Sequence, residues 1–175
     1  MKPDRAAPYE APLRGDEPAD DRRSPRALDM SAFVPAALTF LAQKISTTAS
    51  AIYRPRYGVG ITDWRVMALL AAEPWIAPVR ISEATGLDKA AVSRSLRDLA
   101  AEGLVEIRDG GENRRRLPVA LTRKGLAIHD ELVKIALARE ALLLEGFTAE
   151  ERATLQRLLA RMQQQVDALD SGAEP

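Results

Sequence analysis

Large apolar residues recur every three or four positions after Ser31, whose hydroxyl is suited to capping a helix. The recurring positions are Leu38, Leu41, Ile45 and Ile52. They predict a helix with one apolar face, which Pro55 and the Gly58/Gly60 pair then interrupt. A second predicted helix, capped by Thr62, is apolar around most of its circumference, so we expect it to be buried. Its apolar residues are Trp64, Val66, Met67, Leu69 and Leu70.

The carboxy-terminal third of the chain predicts two more helices. Thr122 can cap a long helix that continues through Leu144, and Gly146 marks a break after it. Thr148 and Glu151 have the spacing of a capping box, in which each side chain binds a free amide at the helix start. The last helix carries an apolar stripe at helical spacing, formed by Leu155, Leu158, Leu159, Met162, Val166 and Leu169.

Residues 79–125 lie between these helical regions and have a different pattern. A short helix over about 81–85 ends at Gly86, and Asp88 caps a second helix that runs to about Glu102. Alternating apolar positions over 104–108 and again over 117–121 predict two strands joined by the loop DGGENRRR. The expected fold class is therefore mainly α with a small β-hairpin wing (α+β): a winged helix-turn-helix between flanking helices.

The second helix of this unit divides its residues between two arcs. At about 100° per residue, Val92, Leu96 and Leu99 share one arc and are expected to anchor the helix to the core. The opposite arc is small, hydroxylic and cationic, and consists of Lys89, Ala90, Ser93, Arg94 and Arg97. Arginine pairs with guanine edges or phosphates, serine with either, and alanine touches a thymine methyl, so this arc suits a DNA groove. A solvated surface helix is the alternative interpretation.

The loop between the two strands contains Gly110 and Gly111, followed by Arg114, Arg115 and Arg116. Three like charges on a hairpin repel one another unless a polyanion is nearby. An arginine at a loop tip also suits the DNA minor groove, where the potential is most negative. A solvated turn is the alternative for this loop. Taken with the cationic helix arc, the loop favours DNA binding over the rival hypothesis, a winged helix that contacts proteins and has no operator of its own.

Charge and composition narrow the classes of function. The formal net charge is zero, but residues 79–125 contain ten Lys/Arg against seven Asp/Glu, whereas the remainder contains 15 against 18. A basic module on an acidic frame concentrates attraction for phosphates on one face. The chain has no cysteine and one histidine, His129, which excludes thiolate chemistry and disfavours a transition-metal sensor. Without a Ser/Cys–His pair, a phosphate-binding glycine loop or a metal-ligand cluster, we expect no enzyme activity, no cofactor and no bound metal.

Residues 1–30 differ in composition from the rest and are expected to form a disordered or loosely docked tail. Five prolines and charges of both signs leave too few large apolar groups to offset the entropy of ordering. Residues 31–170 are expected to form one domain. No apolar run reaches the roughly 18 residues that span a bilayer, and the amino terminus lacks the apolar segment of a signal peptide. We therefore expect a cytoplasmic protein with no membrane partner.

At these motifs the sequence resembles the MarR family of bacterial transcriptional regulators, from about residue 31 to 169. The segment ITDWRVMALLAAEP is similar to the LTxxQW/R type of sequence that opens the family's second helix. The segment ISEATGLDKAAVSRSLRDLAAEGLV is similar to LAxxxGLxxSTVTRxVxxLExxGLV. The segment DGGENRRRLPVALTRKG is similar to the family's wing, DxxDRRxxxVxLTxxG. The combination is more specific than a helix-turn-helix pattern alone.

The resemblance implies roles for individual residues. It places Arg115, with support from Arg114, at the wing tip that enters the minor groove. The wing position usually held by aspartate is Asn113 here, which can accept a hydrogen bond from Arg115 but without charge assistance. The residues that the resemblance places on the recognition helix are Lys89, Ser93, Arg94 and Arg97.

Family members are two-fold dimers whose first and last helices interdigitate. The resemblance therefore implies a homodimer held by residues 31–54 and 123–170, with a DNA-binding lobe over 61–122. The apolar faces of 36–52 and 155–169 are also more extensive than a monomer of this size needs. Two-fold symmetry implies a pseudo-palindromic operator in double-stranded DNA, with half-sites roughly 10 base pairs apart.

Many relatives release DNA when a small aromatic acid binds between the dimer helices and the winged lobe. The resemblance thus implies a repressor that responds to a small aromatic or anionic effector. Trp64, Met67 and His129 are the candidates for lining such a pocket. The simpler interpretation places Trp64 and Met67 in the ordinary core and His129 at its edge. The lack of cysteine argues against peroxide sensing by thiol oxidation.

Overall fold

The structure is a computed structural model that describes residues 27–108 and 117–170. Its elements are α1 (Val34–Tyr57), α2 (Ile61–Ala72), α3 (Pro78–Thr85), α4 (Lys89–Ala101), β1 (Val105–Ile107), β2 (Val119–Leu121), α5 (Arg123–Leu143) and α6 (Ala149–Asp170). This mainly helical chain with one small antiparallel hairpin confirms the expected fold class. The predicted tail, as far as residue 26, lies outside the described residues. None of the helices in the two described ranges is long and apolar enough to cross a membrane.

The first helix begins later than the sequence predicted. The N–H and the hydroxyl of Ser31 both donate to Asp29 Oδ1, at 2.9 and 2.6 Å, so Ser31 does not cap α1. The helix starts at Val34, and Pro35 lies in its first turn, where a missing N–H forfeits no intrahelical hydrogen bond. The predicted cap at Ser31 was therefore wrong.

The prediction that Pro55 interrupts the first helix was also wrong. α1 continues through Pro55 and ends at Gly58, whose φ of 70° is left-handed. Pro55 has no backbone N–H to donate, but it lies so near the end of the helix that only the last turn is affected. Ala49 and Tyr53, one turn apart on α1, are buried in the core, and this packing carries the helix past the proline.

α2 lies at the centre of the fold and packs against α1, α3, α4, α5 and β2. As predicted, it is largely buried, and its fully buried residues are Val66, Met67 and Leu70. Thr62 does not cap it, contrary to the prediction, because the helix already begins at Ile61 and Gly60 occupies the cap position. Gly60 donates its N–H to Asp63 Oδ2 at 2.8 Å, so this carboxylate supplies half of a capping box.

α3 and α4 form the helix-turn-helix. α3 begins at Pro78, earlier than predicted, because proline is well accommodated in the first turn of a helix. It ends at Gly86, whose φ of 67° makes the tight turn. Asp88 Oδ1 accepts the N–H of Ala91 at 2.8 Å, which confirms the predicted cap of α4.

β1 and β2 pair antiparallel, with Ile107 opposite Val119. The alternation predicted for the second strand is not observed, because Val119, Ala120 and Leu121 are all buried. β2 packs against both α2 and α5, and Val119 also bridges to Ile76. The alternation rule assumes that one face of the strand is solvated, and β2 has no such face.

The start of α5 is joined to the end of α4. Thr122 Oγ1 accepts the N–H of Gly125 at 3.0 Å, which confirms the predicted cap of α5. Lys124 Nζ donates to the carbonyl of Glu102, the C-cap residue of α4, at 2.7 Å. Gly125 lies so close to the Leu104 carbonyl that a Cβ at this position would collide with it. The start of α5 therefore packs directly on the backbone of the segment between α4 and β1.

α6 opens with the predicted capping box. Glu151 donates its N–H to Thr148 Oγ1 at 3.2 Å, and Thr148 donates its N–H to Glu151 Oε2 at 2.8 Å. The apolar stripe of this helix is exposed, at Leu155, Leu158, Leu159, Met162 and Val166. Further exposed apolar residues on α1 and α5 are Phe40, Leu41, Leu137, Leu142 and Leu143. We call these ten residues the outer apolar surface.

Candidate nucleic-acid interface

α4 presents one polar arc to solvent. Its buried side consists of Val92, Ser95, Leu96 and Leu99. The five residues predicted for the opposite arc are all exposed: Lys89, Ala90, Ser93, Arg94 and Arg97. Three cations and a hydroxyl therefore project from one side of a helix whose other side is fixed in the core. Such an arc can donate hydrogen bonds to phosphates and to base edges.

Ser95 is a buried polar residue that the sequence analysis missed. It is 2% exposed, and its hydroxyl donates to Asp63 Oδ1 at 2.7 Å. A carboxylate at the start of α2 thus holds the middle of α4. Helical periodicity places Ser95 beside Leu99 and could have indicated its burial. The sequence has no signal for a partner 32 residues away.

A groove of about 1030 Å³ runs beside the polar arc, between α3, α4 and β1. α4 contributes Lys89, Ser93 and Arg97 to its lining. α3 and β1 contribute the exposed apolar residues Val79 and Ile107. The groove therefore combines cationic and apolar contacts, which correspond to the phosphates and thymine methyls of a DNA duplex.

An aromatic ring lies at the base of the wing. The central guanidinium carbon of Arg108 is 3.3 Å from the centre of the Trp75 ring, which is a cation–π contact. Arg108 also donates its N–H to the Pro118 carbonyl at 3.0 Å, so the hairpin stays paired beyond β1. Neither Arg108 nor Trp75 was among the predicted site residues, because distant segments of the chain form the pair. The predicted loop residues Asn113, Arg114, Arg115 and Arg116 lie outside the described residues.

A second cavity, of about 540 Å³, lies between α1, α2 and α5. Of the three residues predicted to line an effector pocket, Trp64 lines this cavity. The His129 ring stacks on Trp64, with 5.5 Å between ring centres and an interplanar angle of 22°. Met67 is fully buried in the core. The structure therefore brings Trp64 and His129 together and places Met67 in the interior packing.

The second cavity combines aromatic and charged groups. Tyr53 meets Trp64 edge-on at 6.1 Å, and burial raises the pKa of the Tyr53 phenol, an effect that nearby Arg139 opposes. Arg139 Nη2 donates to Thr48 Oγ1 at 2.7 Å, and Lys44 adds a second cation to the lining. Arg139 was not among the predicted pocket residues, and its hydrogen-bond partner is 91 residues away in the sequence. Aromatic rings beside two cations suit a small aromatic anion.

A helix-turn-helix followed by a strand hairpin, with long helices on both sides, defines a winged helix-turn-helix protein. The model of the MarR family matches residues 57–116, which include α3, α4 and β1. A MarR/EmrR family transcriptional regulator from Acinetobacter sp. ADP1 is 32% identical, with a TM-score of 0.71 over 77% of this chain and 95% of that chain. The chain therefore belongs to the MarR family of transcriptional regulators.

Two more distant structures share the fold. A mutant MarR from E. coli, complexed with operator DNA, is 24% identical with a TM-score of 0.66, over 74% of this chain and 92% of that chain. FabT from Streptococcus pneumoniae, in complex with DNA, is 21% identical with a TM-score of 0.63, over 78% of this chain and 96% of that chain. At these identities the likeness concerns the fold alone. No curated protein matches the chain.

Proposed function

We propose that the chain is a sequence-specific, dimeric DNA-binding regulator, a repressor that a small aromatic or anionic effector releases from its operator. The observation that carries the proposal is the polar arc of α4, which faces solvent while the opposite side of the helix packs into the core. The two DNA-bound relatives support the same use of the fold. In this proposal α4 is the recognition helix and lies in the major groove.

The polar arc provides both base contacts and phosphate contacts. Arg94 and Arg97 pair with guanine edges or phosphates, and Ala90 contacts a thymine methyl. Lys89 binds the phosphate backbone, and Ser93 donates to a phosphate or a base edge. The phosphate contacts orient the helix, and the base contacts select the sequence.

The wing completes the proposed interface in the adjacent minor groove. Arg115 enters this groove, and Arg114 and Arg116 neutralise flanking phosphates. Asn113 accepts a hydrogen bond from Arg115. The cation–π contact at Arg108 supports this role, because it holds the strand from which the loop departs.

A homodimer is proposed from the outer apolar surface. Leu142 is 71% exposed and Leu158 is 48% exposed in a single chain, and a stripe of this kind is typical of a surface that a partner covers. A second copy of the same face buries it by two-fold symmetry. Residues 31–54 and 123–170 supply this interface, and two lobes of 61–122 bind a pseudo-palindromic operator with half-sites roughly 10 base pairs apart.

The effector is proposed to bind the cavity between α1, α2 and α5. Its ring packs on Trp64, and its anionic group pairs with Arg139, whose guanidinium is already fixed by Thr48. His129 supports Trp64 from behind by stacking on it. Glu140, which also lines the cavity, disfavours ligands with more than one negative charge.

The DNA proposal is tested by selecting a duplex from a random-sequence pool with the wild-type chain. The dissociation constants of the selected duplex and of a random duplex are then measured at several salt concentrations. Arg97→Ala should weaken binding to the selected duplex about 5- to 150-fold, as expected for one lost base contact. Replacing Arg114, Arg115 and Arg116 by Gln should lower the salt slope by about 1 for each lost phosphate contact. Arg157→Ala, on α6, is the matched control and should change neither quantity.

Binding of the wild-type chain that is undetectable or independent of salt for every duplex would overturn the DNA proposal. That result would favour the rival function, a winged helix that contacts other proteins. Repression is tested separately by placing the selected duplex across a reporter promoter. The wild-type chain should lower reporter expression, and Arg97→Ala should relieve the repression. Increased expression with the wild-type chain would instead identify an activator.

The effector proposal is tested with benzoate as the probe. Benzoate should raise the dissociation constant of the selected duplex, and Arg139→Ala should remove this response while leaving DNA binding without benzoate unchanged. Arg157→Ala, which removes a guanidinium elsewhere, should respond like the wild type. An unchanged response in His129→Ala would remove His129 from the effector site. An unchanged response in Arg139→Ala would overturn the proposed anion contact.

A further inference from the structure

Asp63 connects the first turn of α2 to the middle of α4, on the side of α4 that faces the core. Ser95 Oγ donates to Asp63 Oδ1 at 2.7 Å, and Gly60 donates its N–H to Asp63 Oδ2 at 2.8 Å. We propose that Asp63 is a positioning residue that sets the rotation of α4 about its own axis and thereby aims Arg94 and Arg97 at base edges. The inference rests on the DNA-binding function proposed above.

Apolar packing by itself leaves small rotations of α4 about its axis possible. Val92, Leu96 and Leu99 bury one side of α4, but the hydrophobic effect is non-directional and scales with buried area. Side chains reach roughly 6 Å from a helix axis, so a rotation of about 20° moves their ends by on the order of 2 Å. A bidentate contact between arginine and guanine does not survive that displacement, because hydrogen bonds weaken steeply with distance and angle.

The hydrogen bond from Ser95 to Asp63 is directional and therefore restricts the rotation of α4 about its axis. Hydrogen bonds to an ionised carboxylate are short and about twice as strong as neutral ones. Ser95 is 2% exposed, so water does not compete for its hydroxyl. The carboxylate does not follow α4 freely, because Gly60, at the start of α2, binds its second oxygen. Ser95 lies next to Arg94 and two positions before Arg97, so the rotation that it fixes is the rotation of both arginines.

The test compares the selected duplex with a random duplex. Ser95→Ala removes the hydroxyl and keeps a small side chain in the core. It should weaken the selected duplex at least about fivefold, because base contacts are misaligned. The dissociation constant of the random duplex, whose binding depends on phosphate contacts, should change by less than about twofold. Ser95→Thr keeps the hydroxyl and should restore most of the selectivity.

A double-mutant cycle tests whether Asp63 and Ser95 act together. Asp63→Ala should lower the ratio of selected to random affinity as Ser95→Ala does, and the double variant should lose little more than either single variant. Glu151→Ala is the matched control, because Glu151 accepts a backbone N–H at the start of α6 as Asp63 does at the start of α2. It should leave the affinity ratio unchanged.

The thermal unfolding midpoint of each variant distinguishes a loss of stability from a change in the rotation of α4. A purely structural role lowers the affinity for both duplexes in proportion to the folded fraction, and leaves their ratio as in the wild type. An unchanged ratio in both Ser95→Ala and Asp63→Ala would overturn the positioning role and leave the DNA-binding function intact. If the wild-type chain prefers no duplex, the sequence-specific binding proposed above and the positioning role both fail.

Discussion

The guanidinium of Arg108 lies over the indole of Trp75, with 3.3 Å between its central carbon and the ring centre. Trp75 has a φ of 63°, and this left-handed backbone costs a non-glycine residue about 1–2 kcal/mol. The carbonyl of the next residue, Ile76, accepts the N–H of Val119 at 2.9 Å. The strained turn between α2 and α3 is therefore tied to both strands of the hairpin.

A double-mutant cycle should detect the coupling between Arg108 and Trp75. Arg108→Met keeps much of the apolar stem and removes the charge, and Trp75→Ala removes the ring. Their coupling in the free energy of unfolding, measured with urea, should be about 0.5–1 kcal/mol, the strength of a cation–π contact near the surface. Trp75→Phe should keep most of it. Strictly additive effects of the two substitutions would contradict a stabilising contact.

Gly125→Ala should destabilise the protein, although alanine normally favours a helix over glycine by about 1 kcal/mol. The added Cβ meets the Leu104 carbonyl, which is backbone and already accepts the N–H of Thr122, so it cannot move aside without shifting the segment between α4 and β1. We expect a loss of about 1–3 kcal/mol in the free energy of unfolding. Ala127→Gly, two positions further along α5, measures the propensity effect alone. A stabilising Gly125→Ala would show that the contact imposes no constraint.

The sequence was sufficient for features that depend on neighbouring residues. The caps at Asp88, Thr122 and Thr148 were predicted because each binds an amide three residues ahead. The polar arc of α4 was predicted because helical periodicity alone separates it from the buried side. Pro55 was misjudged because its local preference was outweighed by packing of α1 against the core.

Features that join distant segments could not be predicted from one sequence. The Asp63–Ser95 hydrogen bond spans 32 residues and the Arg139–Thr48 hydrogen bond spans 91. A polar residue beside an apolar arc indicates burial but does not identify its partner, because partners are fixed only when the helices pack. The same reason left Arg139 out of the predicted effector pocket.

Leu159→Glu should dissociate the proposed dimer. The substitution places a charge in the middle of the exposed apolar stripe of α6, where the partner would have to bury it. Sedimentation at micromolar concentration should show a dimer for the wild type and a monomer for Leu159→Glu. Gln164→Glu adds the same charge on the opposite side of α6, as helical spacing places it, and should remain dimeric. A wild-type monomer under these conditions would contradict the dimer itself.

The capping box of α6 should lose its stabilising effect in acid. Thr148 donates its backbone N–H and its hydroxyl to Glu151, and these hydrogen bonds hold the pKa of this carboxyl below its ordinary value of 4.5. A lowered folded-state pKa stabilises the fold above the ordinary value, and this contribution is lost as the pH falls through the lowered value. The difference in melting temperature between wild type and Glu151→Gln should therefore be greatest near neutral pH and should shrink below about pH 4.5.

Glu150→Gln is the control for the pH experiment, because it removes the same charge one position earlier in the same first turn. Any general effect of the helix dipole is common to both variants. Only Glu151→Gln should flatten the acid limb of the plot of melting temperature against pH. Equal flattening by both substitutions would assign the effect to the dipole and not to the capping box.

Ile61 and Trp64 line the cavity on α2, and Asp63, on the same helical turn, holds Ser95. In the proposed regulator, an effector that displaces this turn of α2 also disturbs α4, the helix that contacts the operator. By thermodynamic linkage, bound DNA must raise the dissociation constant of the effector by the same factor by which bound effector raises the dissociation constant of DNA. The operator-bound protein then binds the effector more weakly than the free protein, so the effector concentration that half-saturates the protein rises as more of it is bound to DNA.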